Sequence, residues 1–322
     1  MIKYFLTASI LKGFSLTPGT RALYRRIGNV VGAKGRAHGT MPGYYVVGVR
    51  RMLELTDKHA VFKDGQRILE VGTGWMHWEA LTMSLFFDIE AVLFDVWDNR
   101  QLIGLKNYLS QFAVIIEQWN EVSQERRRRA LRLAKQALQV KSFEELYQLL
   151  NFKYMVVGSG SLAGLAENSF DVVVSARVLE HIGRDTAGQF ARDCYRVLKP
   201  GGFSLQSISI GDHLYAYDRS VSPKQYLTFS DSTWKTWFEN QVQYINRIQR
   251  SEWLRVFEQA GLRLIECEGT SVDVSTLQLA EEYKKLPQSD LECHTLKMLH
   301  QKPVLVSRAV PEEPSLQNQA AQ

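Results

Sequence analysis

Several things are scarce in this chain of 322 residues, and each scarcity excludes something. There are three cysteines, Cys194, Cys267 and Cys293. Their odd number and lack of metal-like spacing exclude a disulfide framework and point to a reducing, cytoplasmic compartment. No apolar run approaches the roughly 18 to 20 residues of a spanning helix. The opening stretch Met1 to Leu11 lacks a small-residue cleavage site, so it is not read as a signal peptide. There is no internal repeat. Acidic residues are missing from residues 1–53, which carry nine basic ones: Lys3, Lys12, Arg21, Arg25, Arg26, Lys34, Arg36, Arg50 and Arg51. The remainder carries 30 basic and 34 acidic residues, so the overall charge of +5 belongs to the N-terminal segment.

That segment, residues 1–60, reads as a basic extension or cap. It has three open readings: a surface that meets an anion such as a lipid headgroup, a phosphorylated substrate or nucleic acid; an organelle transit segment; or a solvated layer packed on the main domain. A second basic run, Glu125 to Lys135, wraps around its helix and lacks interleaved aromatics, so no specific nucleic-acid partner is expected.

What is present is an ordinary globular composition, 45% apolar and 23% charged, sized for one large α/β domain with additions or two small domains. Gln66 to Val71 reads as a strand in a covered parallel sheet. Gly72 and Gly74 open it into a turn, and Trp75 to Phe87 has helical spacing. Strand, glycine turn and helix N-terminus together cradle a nucleotide. Further strands are expected at Ile89 to Asp95, Tyr154 to Val157, Phe170 to Ser175, Phe203 to Ile210, Leu262 to Cys267 and Pro303 to Val310. Helices are expected over about 99–150, Phe190 to Leu198 and Ser251 to Ala260. This alternation predicts an α/β, Rossmann-like, doubly wound and mostly parallel sheet over residues 61–310. It carries a helical insertion at about 99–150, a loop at about 211–250 and a disordered tail, 311–322.

Four elements in order resemble the class I S-adenosylmethionine-dependent methyltransferases of the small-molecule type. They are Ile68-Leu-Glu-Val-Gly-Thr-Gly74, Asp95, the run Asn168 to Ile182, and Arg196-Val-Leu-Lys-Pro-Gly-Gly202. The resemblance covers about residues 65–310 and implies a seven-stranded sheet and S-adenosyl-L-methionine as cofactor. It places Glu70, Gly72, Thr73 and Gly74 at the amino-acid part and Asp95 at the ribose. Ser159, Gly160 and Ser161 fall at the adenine, and Ser175 at the edge of the fourth strand. Glu70 has the alternative role of bracing the turn. His181 is site-adjacent, ordering backbone.

Two departures stand out. The family's third glycine is Met76 here, and Trp75 and His77 flank it. These either shape the pocket or pack the first helix against the sheet. After the fifth strand, Gly211 to Asp218 and Tyr244 to Arg247 resemble a bacterial subgroup with an Asp-His, an acid and an Asn-Arg pair. His213 is the expected general base, its ordinary pKa suiting proton removal near neutral pH. Asp218 is expected to orient it or hold a substrate hydroxyl. Tyr215, Asn246 and Arg247 are expected to bind substrate, with a structural ion pair as the alternative for Arg247. No metal is expected, because His38, His59, His77 and His181 show no ligand spacing.

The activity implied is in-line methyl transfer to a hydroxyl or amine of a small-molecule or glycan- or lipid-linked substrate, with possible peripheral contact at an anionic membrane surface. Two rivals remain. An NAD-dependent dehydrogenase shares the glycine turn but wants glycine at His77. A non-catalytic module of the same fold would use the basic N-terminus to hold an anionic surface or RNA.

Overall fold

The computed structural model describes residues 1–304; the tail expected at 311–322 and most of the strand expected at Pro303 to Val310 lie outside them. Three helices lead: α1 (Ile2–Ser15), α2 (Pro18–His38) and α3 (Gly43–His59). Then β1 (Gln66–Val71), α4 (Trp78–Phe86) and β2 (Ile89–Asp95) form the first unit. The insertion is α5 (Leu102–Glu117), α6 (Gln124–Gln139) and α7 (Phe143–Leu150). Next come β3 (Phe152–Val156), β4 (Phe170–Ala176), α8 (Ala187–Val197) and β5 (Leu198–Ser209). The chain closes with α9 (Asp231–Trp237), α10 (Arg250–Gln259), β6 (Arg263–Ser271) and β7 (Cys293–Gln301).

The seven strands are ordered β3-β2-β1-β4-β5-β7-β6, parallel except for β7, which runs antiparallel to both neighbours. The last strand among the described residues is Cys293–Gln301, which the sequence reading does not include. Its Cys-His-Thr-Leu-Lys-Met-Leu-His-Gln pattern mixes polar and apolar residues, which hides it from a search for apolar runs. Pro303, which has no N–H to give a ladder, lies beyond it.

Successive strand residues face opposite layers. Ile68, Ala91, Leu93 and Val172 join the core under α4 to α7, whereas Leu69, Val92, Phe94 and Val173 join that under α8 and α10. A third core forms where α1 meets the loop after β5: Tyr4, Ala8 and Leu11 pack with Leu214, Tyr226, Trp234 and Phe238. The N-terminal segment thus divides its contacts. While α1 completes the loop core, α2 lies along α5, and α3 reaches the edge strand, where Glu266 accepts from Lys58 (2.6 Å) and lies 2.8 Å from His59 Nε2.

Candidate functional site

In a doubly wound sheet, ligands sit beyond the carboxyl ends of the strands where the order reverses, here between β1 and β4. Gly72 lies there at φ +72°, and its N–H donates to the Phe94 carbonyl (2.7 Å). A Cβ on it would stand 2.3 Å from Val178 Cγ2, so only glycine lets the β1 turn approach the chain leaving β4. Gly74, at φ +59°, has nothing within 4 Å of the same point and faces open space.

Asp95 ends β2 and braces this turn. Its carboxylate accepts from the N–H groups of Gly74 (2.8 Å), Val96 (2.7 Å) and Trp97 (3.3 Å). Burial nevertheless raises its pKa above the ordinary value. A carboxylate has about four acceptor sites, and these three N–H groups fill most of them.

Glu70 is also a brace, accepting from Ala80 N–H (2.6 Å) at the start of α4. Its other oxygen, Oε1, has no fixed donor. Beside it stands Glu79, pushed up to about 7 by burial; burial and Glu79 together raise Glu70 well above the carboxylate range. One proton held between the two acids would supply the missing donor, and a ligand ammonium could replace it. Thr73 Oγ1 is likewise buried without a partner. The open cradle at Gly74, the orphaned Thr73 oxygen and the Glu70–Glu79 pair fit a ligand carrying an ammonium and a sugar.

Gly160 (φ +69°) packs on Val96 in the loop after β3, and Ser159 Oγ accepts from Ser161 N–H (3.3 Å), so residues 159–161 border the Asp95 side of the cradle. The Ser175 hydroxyl is buried and donates to Gln206 Oε1 on β5 (2.5 Å).

The departures at the glycine turn have separate outcomes. Met76 turns away into the core under α4, so it does not narrow the cradle. His77 takes φ +49°, a left-handed conformation uncommon for a residue other than glycine. Its ring is buried among Phe143, Tyr147 and Tyr154, with Nε2 2.8 Å from Tyr147 Oη. Trp75 remains partly exposed, and the Arg36 guanidinium of α2 stacks 3.7 Å from its ring. Arg25 does the same over Trp97 at 4.0 Å. The basic α2 therefore covers the two loops that frame the cradle.

Across β4 lie the residues expected to meet an acceptor. His213, on a 3-10 turn (His213–Ala216), faces His181 with ring centroids 5.0 Å apart. Burial and neighbouring His181, Arg177 and His294 push the His213 pKa down to about 3. The imidazole is neutral at physiological pH but binds a proton too weakly to serve as the expected base. Arg177, exposed at φ +58°, stacks on Tyr44 of α3 at 3.9 Å. Tyr215 is partly buried beneath Arg219.

Three expected site residues are braces instead. Asp218 does not meet His213. It accepts from the backbone N–H of Tyr4 (3.1 Å) and from Ser220, pinning α1, and these bonds with the Met1 amino group hold its carboxyl well below the usual range. Asn246 is buried and donates to the carbonyls of Leu179 (2.6 Å) and Ile182 (3.2 Å). Arg247 donates to Tyr283 Oη (2.7 Å) and pairs with Asp231 (2.5 Å), the ion pair foreseen as its alternative. Sequence reasoning passed over Glu79, Arg177, Tyr44 and Glu180. Only Glu180 carried a signal, as an acid inside the apolar run Val178 to Ile182.

Residues 117–205 match the family model described as a methyltransferase domain, a stretch from the end of α5 to within β5 that begins after the glycine turn. No curated protein matches in sequence. Among solved structures, the chain is similar to phosphoethanolamine N-methyltransferase 2 of Haemonchus contortus in complex with phosphomonomethylethanolamine and S-adenosylhomocysteine. The identity is 18%, over 84% of this chain and 57% of that one, with a TM-score of 0.46. It is also similar to a S-adenosylmethionine-dependent methyltransferase of Methanosarcina mazei, at 14% identity over 77% and 97% of the two chains and a TM-score of 0.41. The chain spans about half the length of the Haemonchus protein. The methyltransferase-domain match over residues 117–205 and the seven-stranded sheet with a cradle at its switch point are what the chain shares with the class I S-adenosylmethionine-dependent methyltransferases.

Proposed function

We propose that the chain transfers the methyl group of S-adenosylmethionine to an oxygen or nitrogen of a small-molecule, glycan- or lipid-linked acceptor. The observation that supports this is that Val178, which a Cβ on Gly72 would meet, lies in the same short segment as Arg177 and His181, and the His181 ring faces His213. The cofactor supplies an already activated sulfonium methyl. Glu70, Thr73 and Asp95 hold its amino-acid and ribose parts, and the acceptor side places a nucleophile in line at about 3 Å, chiefly an entropic contribution. Neutral His213 offers a single ring-nitrogen lone pair on the side where the acceptor is expected. Methyl-labelled S-adenosylmethionine incubated with the protein and cell extract, with products resolved by mass spectrometry, tests this reading. A labelled small molecule, glycan or lipid is expected; cofactor binding by calorimetry without any labelled product of these classes would overturn it.

A second observation favours acceptors at an anionic membrane. Among the described residues α2 buries none, and α1 and α2 expose Leu6, Ile10, Leu23, Ile27, Val30 and Val31 beside Lys3, Arg26 and Lys34. Exposed apolar groups on basic helices are the signature of interfacial binding. No described helix is long and apolar enough to cross a membrane. Co-sedimentation with phosphatidylserine vesicles, but not phosphatidylcholine vesicles, is expected at low salt; no sedimentation with either removes this reading.

A further inference from the structure

We propose that Glu180, His181 and His213 form a binding site for one divalent transition-metal ion of the zinc type, beside the methyl-transfer edge. One potential ligand atom from each residue lies within 4.8 Å of the others, close enough for small side-chain rotations to bring all three onto one ion. Two imidazoles and a carboxylate are the donor set of catalytic zinc sites that keep a fourth position open. Spacing in sequence could not reveal this set, because β5 and its following turn separate His213 from the other two.

Each ligand is prepared independently. The Tyr244 carbonyl lies 2.7 Å from His181 Nδ1, which therefore carries the proton and leaves the Nε2 lone pair available. Such a carbonyl partner fixes the tautomer of metal-bound histidines. Glu180 is 3% exposed; Oε1 accepts a long bond from Ser209 N–H (3.3 Å), and Oε2 is buried with no partner. A carboxylate so placed is costly unless a cation or donor meets it. The backbone of Glu180 is locked by Asn246, whose N–H donates to its carbonyl (2.9 Å). The turn bearing His213 is held by Asp212, which accepts from Leu214 N–H (2.9 Å) and from Tyr4 Oη (2.6 Å). Arg177 is the opposing charge, and its guanidinium is engaged on the Tyr44 ring.

This site rests on the proposed reading for its role. An acceptor hydroxyl as fourth ligand would lose its proton to solvent more easily. Its oxygen would then form the new O–CH3 bond as the S–CH3 bond breaks, the electron pair staying on sulfur.

The test is calorimetric titration of ZnCl2 into chelator-stripped full chain. One equivalent is expected to bind, and Glu180→Gln and His213→Ala are each expected to weaken binding by about tenfold or more. Co2+ added to the unaltered chain should give visible absorption bands, a readout independent of variant folding. No Zn2+ binding and no Co2+ bands, or equal affinity in both folded variants, would overturn the site. S-adenosylmethionine titrated into the same samples separates the readings: zinc binding without any methyl transfer supports the site while counting against the proposed activity. Methyl transfer by a chain that binds no zinc does the reverse.

Discussion

The cofactor side and the acceptor side of this site use polar side chains differently. On the cofactor side, Glu70 and Asp95 brace backbone turns within their own neighbourhood, and Glu70 Oε1 has no fixed donor. On the acceptor side, Asn246, Arg247 and Asp218 have no such spare capacity in evidence, being committed to long-range ties. Buried Lys224 belongs with them, donating to Gln249 Oε1 (2.8 Å) and the Cys293 carbonyl (2.9 Å). A parallel sheet fixes the cofactor turn by itself. A loop of about forty residues must instead be held by its own side chains, and those are the conspicuous polar residues. What is left for chemistry there is Glu180, His181, His213 and Arg177.

The largest expected effect probes the cofactor side. Gly72→Ala forces a Cβ into Val178 at a positive φ, a conformation costing about 1–3 kcal/mol before any clash. Cofactor affinity should fall by more than about tenfold and the melting temperature by several degrees. Calorimetry showing unaltered affinity would mean the β1 turn tolerates retreat from β4.

The Glu70–Glu79 pair should appear in the pH dependence of stability. Glu79, up at about 7, binds more protons folded than unfolded once pH exceeds its unfolded value of about 4.3. Stability therefore falls as pH rises from about 4.3 through 7 and levels off above, by up to about 4 kcal/mol. His213, down at about 3, has the opposite sign, costing stability as pH falls below about 6.5. Urea denaturation across this range should show Glu79→Gln flattening the upper slope. A slope that survives the substitution would place the shared proton elsewhere.

Asn246→Ala addresses the acceptor side. It leaves the buried Leu179 carbonyl without its side-chain donor, at a cost of about 1–3 kcal/mol. Denaturation should show that loss, with cofactor affinity within about twofold of the parent. An unchanged stability with a raised KM for acceptor would restore Asn246 as a substrate ligand and erase the contrast between the two sides.

The same contrast explains what could be read before the structure. The sheet, its cofactor turn and Asp95 were legible because each depends on residues adjacent in sequence: an apolar strand, a positive-φ glycine, an acid at a strand end. Strand β7 was not, since its polar positions lie between two strands whose pairing is not written locally. Arg247 and Asp218 were misjudged for a related reason. A charged residue in a loop looks available until its partner is known, and Tyr4, the partner of Asp218, is separated from it by 214 positions. His213 lies on the turn after β5, and its basicity depends on burial, which sequence does not reveal.

The smallest effect concerns the cover over the cofactor side. Arg36 donates to Gln101 Oε1 (2.7 Å) and stacks on Trp75, joining α2 to the loops after β1 and β2. A cation–π contact at a partly exposed site contributes about 0.5–1 kcal/mol. Arg36→Ala should therefore lower stability by roughly that amount. Because Trp75 immediately follows Gly74, the same change should loosen one wall of the cradle and raise the cofactor dissociation constant by a few-fold, leaving the KM for acceptor unmoved. Tryptophan fluorescence during cofactor titration reads both the wall and the affinity. An effect on acceptor KM alone would assign α2 to the acceptor side, and the division drawn between the two halves of the site would fail.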